Sequence, residues 1–273
     1  MKSPIKSALF GALALAFGVA ANAAPITTWT VAVDTTFDST SVLPAGVTVV
    51  SDTELRWGIP ATTAGDSGLV ITDSSISTSV DTNGALVPNV SITHRNNPIF
   101  APSLTSVDIQ SVLTLTPLVP DGPALPSATI TFGVNFLETD NSANPCADGG
   151  ANGVGVNVNG CGDIFVISQD ALNFSFMYPD LDGPDAGTDR EYFISFLELT
   201  SGLNPLPAAA CSAAGVVGPC LGFRTAEAQT TTVQFAALIT TEPVQIPEPG
   251  SLALLGLGLA GLGVARRRAK QAA

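Results

Sequence analysis

The stretch Ile130-Thr131-Phe132-Gly133-Val134-Asn135-Phe136 carries an apolar side chain at every second position, with small or polar residues between. A strand turns successive side chains to opposite faces, so Ile130, Phe132, Val134 and Phe136 share one face that must be covered. The same period recurs in Leu172, Phe174, Phe176 and Tyr178, in Tyr192, Ile194 and Phe196, and in Val233, Phe235 and Ala237. Shorter candidates lie at 29–33, 69–72, 90–94 and 163–167. No comparable helical stripe interrupts them, and the runs of Thr, Ser, Val and Ile between them favour strand. Asn83-Gly84, Asp121-Gly122, Asn152-Gly153 and Asp182-Gly183 supply turns. The expected fold is all-β, a β-sandwich of jelly-roll or immunoglobulin-like kind, forming one domain over residues 24–243.

The ends of the chain read differently from this body. Lys2 and Lys6 precede an uncharged stretch over 8–21, rich in Ala, Leu and Phe, which closes on Ala21-Asn22-Ala23. A charged head, an apolar middle and a small-residue site describe a secretory signal peptide, 1–23, with cleavage expected after Ala23. The apolar run is shorter than the roughly 18 residues of a lasting helical anchor. At the other end, over 244–273, Pro247-Glu248-Pro249 is followed by an uncharged segment over 250–265 and then by Arg266, Arg267 and Arg268. The prolines end any preceding element, so a short C-terminal transmembrane helix is expected to start afresh. As a helix it would reach about 24 Å, short of the roughly 30 Å hydrocarbon core. Arginines and lysines favour the cytoplasmic side, so the unprocessed chain is expected to hang from the inner membrane by both ends. Gly256, Gly258 and Gly261 have the spacing of a dinucleotide loop, but neither the preceding strand nor the later acidic residue is there.

The charge of the body excludes one large class of partners. Residues 24–249 contain no lysine and only Arg56, Arg95, Arg190 and Arg224 against all 23 acidic groups, a formal charge of −19. Such a surface repels phosphate backbones, so no nucleic acid is expected as a partner. Cys146, Cys161, Cys211 and Cys220 all fall in the exported part, where disulfides persist. Their gaps are too wide for a zinc pattern, and four cysteines allow three connectivities. The local one, Cys146 with Cys161 and Cys211 with Cys220, closes two loops rich in Gly, Ala, Asn and Pro and is the one favoured here.

The triplet, apolar segment and basic cluster over 247–268 resemble the PEP-CTERM sorting tail of Gram-negative bacteria. The resemblance implies that an exosortase, a membrane-embedded cysteine transpeptidase, recognises Pro247, Glu248 and Pro249 and sorts the chain outward after signal peptidase has acted. Within the body, Thr93-His94-Arg95-Asn96 resembles the motif that names the THxN family of PEP-CTERM proteins. It is accompanied by Leu55-Arg56-Trp57-Gly58, by Phe136-Leu137-Glu138-Thr139 leading to Cys146, and by Cys161-Gly162-Asp163-Ile164-Phe165. This likeness covers most of 27–240 and brings Thr93, His94 and Asn96 forward as family residues. It implies an address and no reaction.

Three sets of residues invite a chemical reading. His94, the only histidine, is a general base or lone metal ligand in one reading; in the other it hydrogen-bonds backbone groups in a turn just past a short strand. The second is favoured because no partnered nucleophile is legible. Asp180, Asp182 and Asp185 place hard oxygen ligands on a Gly and Pro loop, a candidate Ca²⁺ site, though not in EF-hand register. Glu138 and Asp140 could be imagined as a glycosidase pair, but nothing places them at a working separation. The expectation is therefore a non-enzymatic, cofactor-free protein of the cell surface or extracellular matrix, associated with exopolysaccharide or biofilm. A Ca²⁺-dependent carbohydrate-binding module and an enzyme using His94 are the alternatives.

Overall fold

The computed structural model describes residues 25–167, 173–183, 186–200 and 202–244. The signal segment, the tail with Pro247 to Arg268, Leu172 and Asp185 lie outside the described residues. In chain order the strands are β1 (Thr28–Phe37), β2 (Thr48–Ser51), β3 (Glu54–Trp57), β4 (Ile59–Pro60), β5 (Ser67–Thr72), β6 (Ser75–Asp81), β7 (Val87–Asn96) and β8 (Ile99–Phe100). There follow β9 (Ser106–Val119), β10 (Ala128–Leu137), β11 (Asp163–Ile167), β12 (Asn173–Pro179), β13 (Asp189–Glu198), β14 (Asn204–Pro205), β15 (Leu221–Thr225) and β16 (Gln229–Thr240). A single α-helix, α1 (Ala208–Ala213), stands between β14 and β15 among the described residues.

Two seven-stranded sheets account for all but two strands. One has the order β14-β15-β11-β10-β9-β1-β6, the other β12-β13-β16-β7-β5-β3-β2, and β4 and β8 pair apart from both. Every strand pairing is antiparallel. The two sheets together hold fourteen strands among the described residues, more than the eight of a jelly roll or the seven to nine of an immunoglobulin domain.

The period-two reading explains what lies between the sheets. Ile130, Phe132, Val134 and Phe136 of β10 are all buried, as are Tyr192, Ile194 and Phe196 of β13 and Val233, Phe235 and Ala237 of β16. Each fully buried side chain of this size contributes about 1.5–3 kcal/mol. They join Trp29, Val31 and Val33 of β1 and Leu69 and Ile71 of β5 in one apolar core fed by both sheets. The four short segments expected at 29–33, 69–72, 90–94 and 163–167 lie within β1, β5, β7 and β11.

The chain enters and leaves the fold at one pole. The Ile26 amide donates to the Tyr192 hydroxyl at 2.9 Å, and Trp29 Nε1 donates to Thr82 Oγ1 at 3.1 Å. Trp29 meets Phe176, Tyr178 and Tyr192 edge-on with ring centres 5.1–5.3 Å apart. Beside them Asn83 donates its backbone N–H to the Ile239 carbonyl and its Nδ2 to Thr241 Oγ1 at 3.1 Å, at the end of β16. The start of β16 lies at the opposite pole, where Gln229 pairs with Asn96 and Thr231 with His94.

Candidate functional site

That opposite pole gathers the motif residues. β7 runs on through Asn96, because Thr93, His94 and Arg95 pair with Val70, Leu69 and Gly68 on one side and with Thr232, Thr231 and Thr230 on the other. This corrects the expected turn at His94: the motif is strand, and its spacing is the strand period. Thr93 and Arg95 point outward, Thr93 Oγ1 to Thr232 Oγ1 at 2.9 Å and Arg95 Nη2 donating to Glu54 Oε1 at 3.3 Å. His94 and Asn96 point inward and are fully buried.

The His94 ring lies nearly parallel to Trp57, 11° between planes and 5.8 Å between centres, and meets the Phe136 edge at 5.0 Å. Neither ring nitrogen has a hydrogen-bond partner, so the backbone bonds expected for this side chain do not form. Nε2 stands 3.9 Å from Asp163 Oδ2, beyond hydrogen-bond distance. Burial pushes the imidazole pKa down to about 3, which leaves His94 neutral near pH 7 and makes that approach no ion pair. Asn96 Nδ2 donates to the Thr225 carbonyl at 3.0 Å and ties the two sheets together.

Three carboxyl groups from three segments gather at this pole, and Glu227 acts on the charge of the other two. Trp57 Nε1 donates to Glu138 Oε2 at 3.2 Å, just past the end of β10. Burial raises the Glu138 pKa to about 7, with the Trp57 bond opposing and the Glu227 charge assisting. Asp163, the first residue of β11, accepts the Thr139 amide on Oδ1 at 2.9 Å, while its Oδ2 has no partner. Burial, then the neighbouring Glu138 charge, raises its pKa well above the carboxylate range. Glu227, in the turn between β15 and β16, is 3% exposed and neither oxygen makes a hydrogen bond of good geometry; burial raises its pKa, against the nearby Asn141 amide and Ala228 N–H.

The Cys146–Cys161 disulfide closes the loop directly before Asp163, and Cys211–Cys220 closes the second loop, the local pairing expected. Within the first loop, Asp148 accepts from Gly150 N at 2.8 Å, from Asn157 Nδ2 at 3.1 Å and from Arg224 Nη1. Burial pushes its carboxyl up, but these donors outweigh burial and hold it below the usual range. Thr139 Oγ1 donates to the Cys161 carbonyl at 2.7 Å and fastens the loop to the end of β10.

The other candidates separate. Asp140 is exposed and accepts Ser142 N at 2.9 Å and Ser142 Oγ at 2.7 Å, while Glu138 turns inward, so the imagined carboxylate pair faces two ways. Asp180 is buried and both its oxygens are held by Arg190, at 2.9 and 2.7 Å; Asp182 is exposed. Among the described residues no three His, Cys, Asp or Glu side chains are arranged to hold a metal ion. The sequence offered Trp57 and Asp163 only as pieces of a likeness and Glu138 also as a carboxylate beside Asp140, and it gave no sign of Glu227, which has no motif or periodicity to flag it.

The tail carries an address. A family model, the PEP-CTERM protein-sorting motif, matches residues 245–268. The chain therefore carries an exosortase sorting signal. The match embraces Pro247, Glu248, Pro249 and the three arginines, and it marks an exported protein, carried across the inner membrane to the cell envelope or surface. No curated protein matches the chain.

Proposed function

We propose that the chain is a non-enzymatic surface or matrix protein of the THxN family, whose acidic β domain is displayed outside a Gram-negative cell and there contacts exopolysaccharide. The observation that carries this reading is the fate of the four motif pieces. Trp57, His94, Phe136 and Asp163 are buried together, and Asn96 bonds across to Thr225, so these residues brace the two sheets and leave no histidine for a substrate. A catalytic constellation needs a base within reach of a nucleophile and of solvent. The net charge of the body points to sugars, cations or cationic proteins as contacts, with nucleic acid set aside. Signal peptidase, the inner membrane and exosortase are partners in transit.

The test has two arms. Replacing Pro247, Glu248 and Pro249 together with alanine should leave uncut protein in the inner membrane fraction, and deletion of the gene should alter cell aggregation and biofilm texture. Normal sorting of the triple variant, or unchanged aggregation in the deletion, overturns the respective half of the reading. Calorimetry of the full chain in detergent with Ca²⁺ should give no heat, because Arg190 already holds both Asp180 oxygens; a saturable signal would favour the carbohydrate-binding module.

A further inference from the structure

Glu138, Asp163 and Glu227 present a problem that protein atoms alone do not solve. Asp163 Oδ2 and both Glu227 oxygens are buried with no hydrogen bond of good geometry, although the Asn141 amide and the Ala228 N–H lie close enough to Glu227 to oppose the effect of burial in part, and Asn96 Oδ1 and Asn141 Oδ1 are likewise unbonded. Glu138 and Asp163 are immediate neighbours, and two carboxylates are acceptors only, so a bond between them exists only when one carries a proton. Cations that would offset the charge face elsewhere on every packed element. On β3 Arg56 turns to Glu54, on β7 Arg95 does the same, and on β15 Arg224 turns to Asp148. His94 is neutral, and Asp140, on the segment after β10, is bonded to Ser142 and exposed. No set of three ligands holds a metal here among the described residues. The remaining way to keep three acids in the interior is to keep protons on them.

We propose that Glu138, Asp163 and Glu227 form a proton-held clasp that fastens the Cys146–Cys161 loop and the turn before β16 onto the end of the sandwich, and releases both when the surroundings turn alkaline. The geometry gives the clasp its reach, because each acid sits where a different segment meets the sheets: the exit of β10, the entry of β11 and the entry of β16. On release each acid that ionises gives one proton to solvent and keeps one negative charge, so like charges accumulate in an apolar end with no counterion, which water must enter to hydrate. Thr139, bonded to both Asp163 and the Cys161 carbonyl, transmits the loosening to the loop. The disulfide keeps the loop attached, so the opening is local and reversible. An exported chain meets the pH of its environment directly, which gives such a clasp something to respond to.

Hydrogen exchange on the full chain in mild detergent, compared at pH 5 and pH 8.5 and corrected for the intrinsic rate, tests this. Protection of peptides covering 138–163 and 225–229 should fall at least tenfold at the higher pH, while β1 and β9 keep theirs. In a Glu138→Gln/Glu227→Gln variant the fall should shrink to less than threefold, since the amide introduced at position 138 donates to Asp163 at any pH. Equal protection of the wild type at both pH values overturns the clasp, and so does a folded variant that loosens as the wild type does. If the variant does not fold by near-ultraviolet circular dichroism, the wild-type comparison decides alone. Protection restored at pH 8.5 by Ca²⁺ at micromolar concentration would also overturn it, in favour of a cation site.

Discussion

At the scale of single residues, the inner face of β7 shows how a motif can be fixed by packing with no bond to its defining side chain. His94 touches Trp57 and Phe136 and donates nothing, so its two nitrogens are a cost of burial that the aromatic contacts offset. His94→Leu should therefore keep the fold and raise stability by about 1 kcal/mol in urea titrations, whereas a general base would be abolished by the same change. Glu138 makes the complementary case. Its folded pKa, about 7, lies above its unfolded value, so the folded state holds the extra proton between them. Stability is fully present below the unfolded pKa and declines as pH rises from about 4.5 through 7, by an amount on the order of a few kcal/mol. Melting temperatures measured from pH 4 to 9 should fall as pH rises through that window, and Glu138→Gln should make the fall smaller. The inward and outward alternation of Thr93 to Asn96 was legible in the sequence once the strand was extended. Glu227 was not legible, because a lone acid in a turn becomes buried only when the disulfide loop and β15 close around it.

Elements add constraints that no single side chain carries. The Cys146–Cys161 bridge spans 15 residues of a loop with almost no secondary structure, only the 3-10 turn Gly155–Asn157. Replacing both cysteines with alanine should cost about 2–4 kcal/mol by the chain-entropy account, read as a lower urea midpoint with the slope little changed. Gly58, after β3, has φ of +85°, and a Cβ there would lie 2.3 Å from Ile99 Cδ1, so Gly58→Ala should destabilise more than a surface substitution. Half of the sixteen strands were readable in the sequence, β10 most plainly, since its face of Ile, Phe and Val repeats without a break. The longest strand, β9, was not singled out. Its inner row, Val107, Ile109, Ser111, Leu113 and Leu115, is interrupted by Ser111, whose hydroxyl meets Thr35 Oγ1 across the sheet at 2.9 Å inside the core. A hydroxyl pair satisfied between neighbouring strands looks polar in one dimension and core-like only in three. Strand order escaped the sequence for the same reason: β1 sits between β6 and β9, a placement decided by contacts far apart along the chain.

For the molecule as a whole, the two poles set an orientation. β16 takes the chain from the His94 end, at Thr231, to the Ile239 and Thr241 contacts with Asn83, about 30 Å of strand. The apolar segment expected to hold the unprocessed tail in the membrane starts at residue 250, nine residues beyond Thr241, so a chain tethered in that way would keep the Asn83-Gly84 turn within about 30 Å of the membrane surface. The disulfide loop and the acid cluster, at the other end of the same strands, then face away from the lipid. A short epitope inserted between Gly153 and Val154, where Val154 is 66% exposed, should bind antibody on spheroplasts that carry the alanine-substituted Pro247-Glu248-Pro249 triplet. The same epitope between Asn83 and Gly84 should bind several-fold less, because an antibody is wider than the gap beneath it. After detergent extraction the two insertions should bind alike, which separates shielding by the membrane from disruption of the turn. Equal binding on spheroplasts would mean that the tail lets the domain lie on its side or swing away, and the outward presentation of the acid-bearing pole would then be lost.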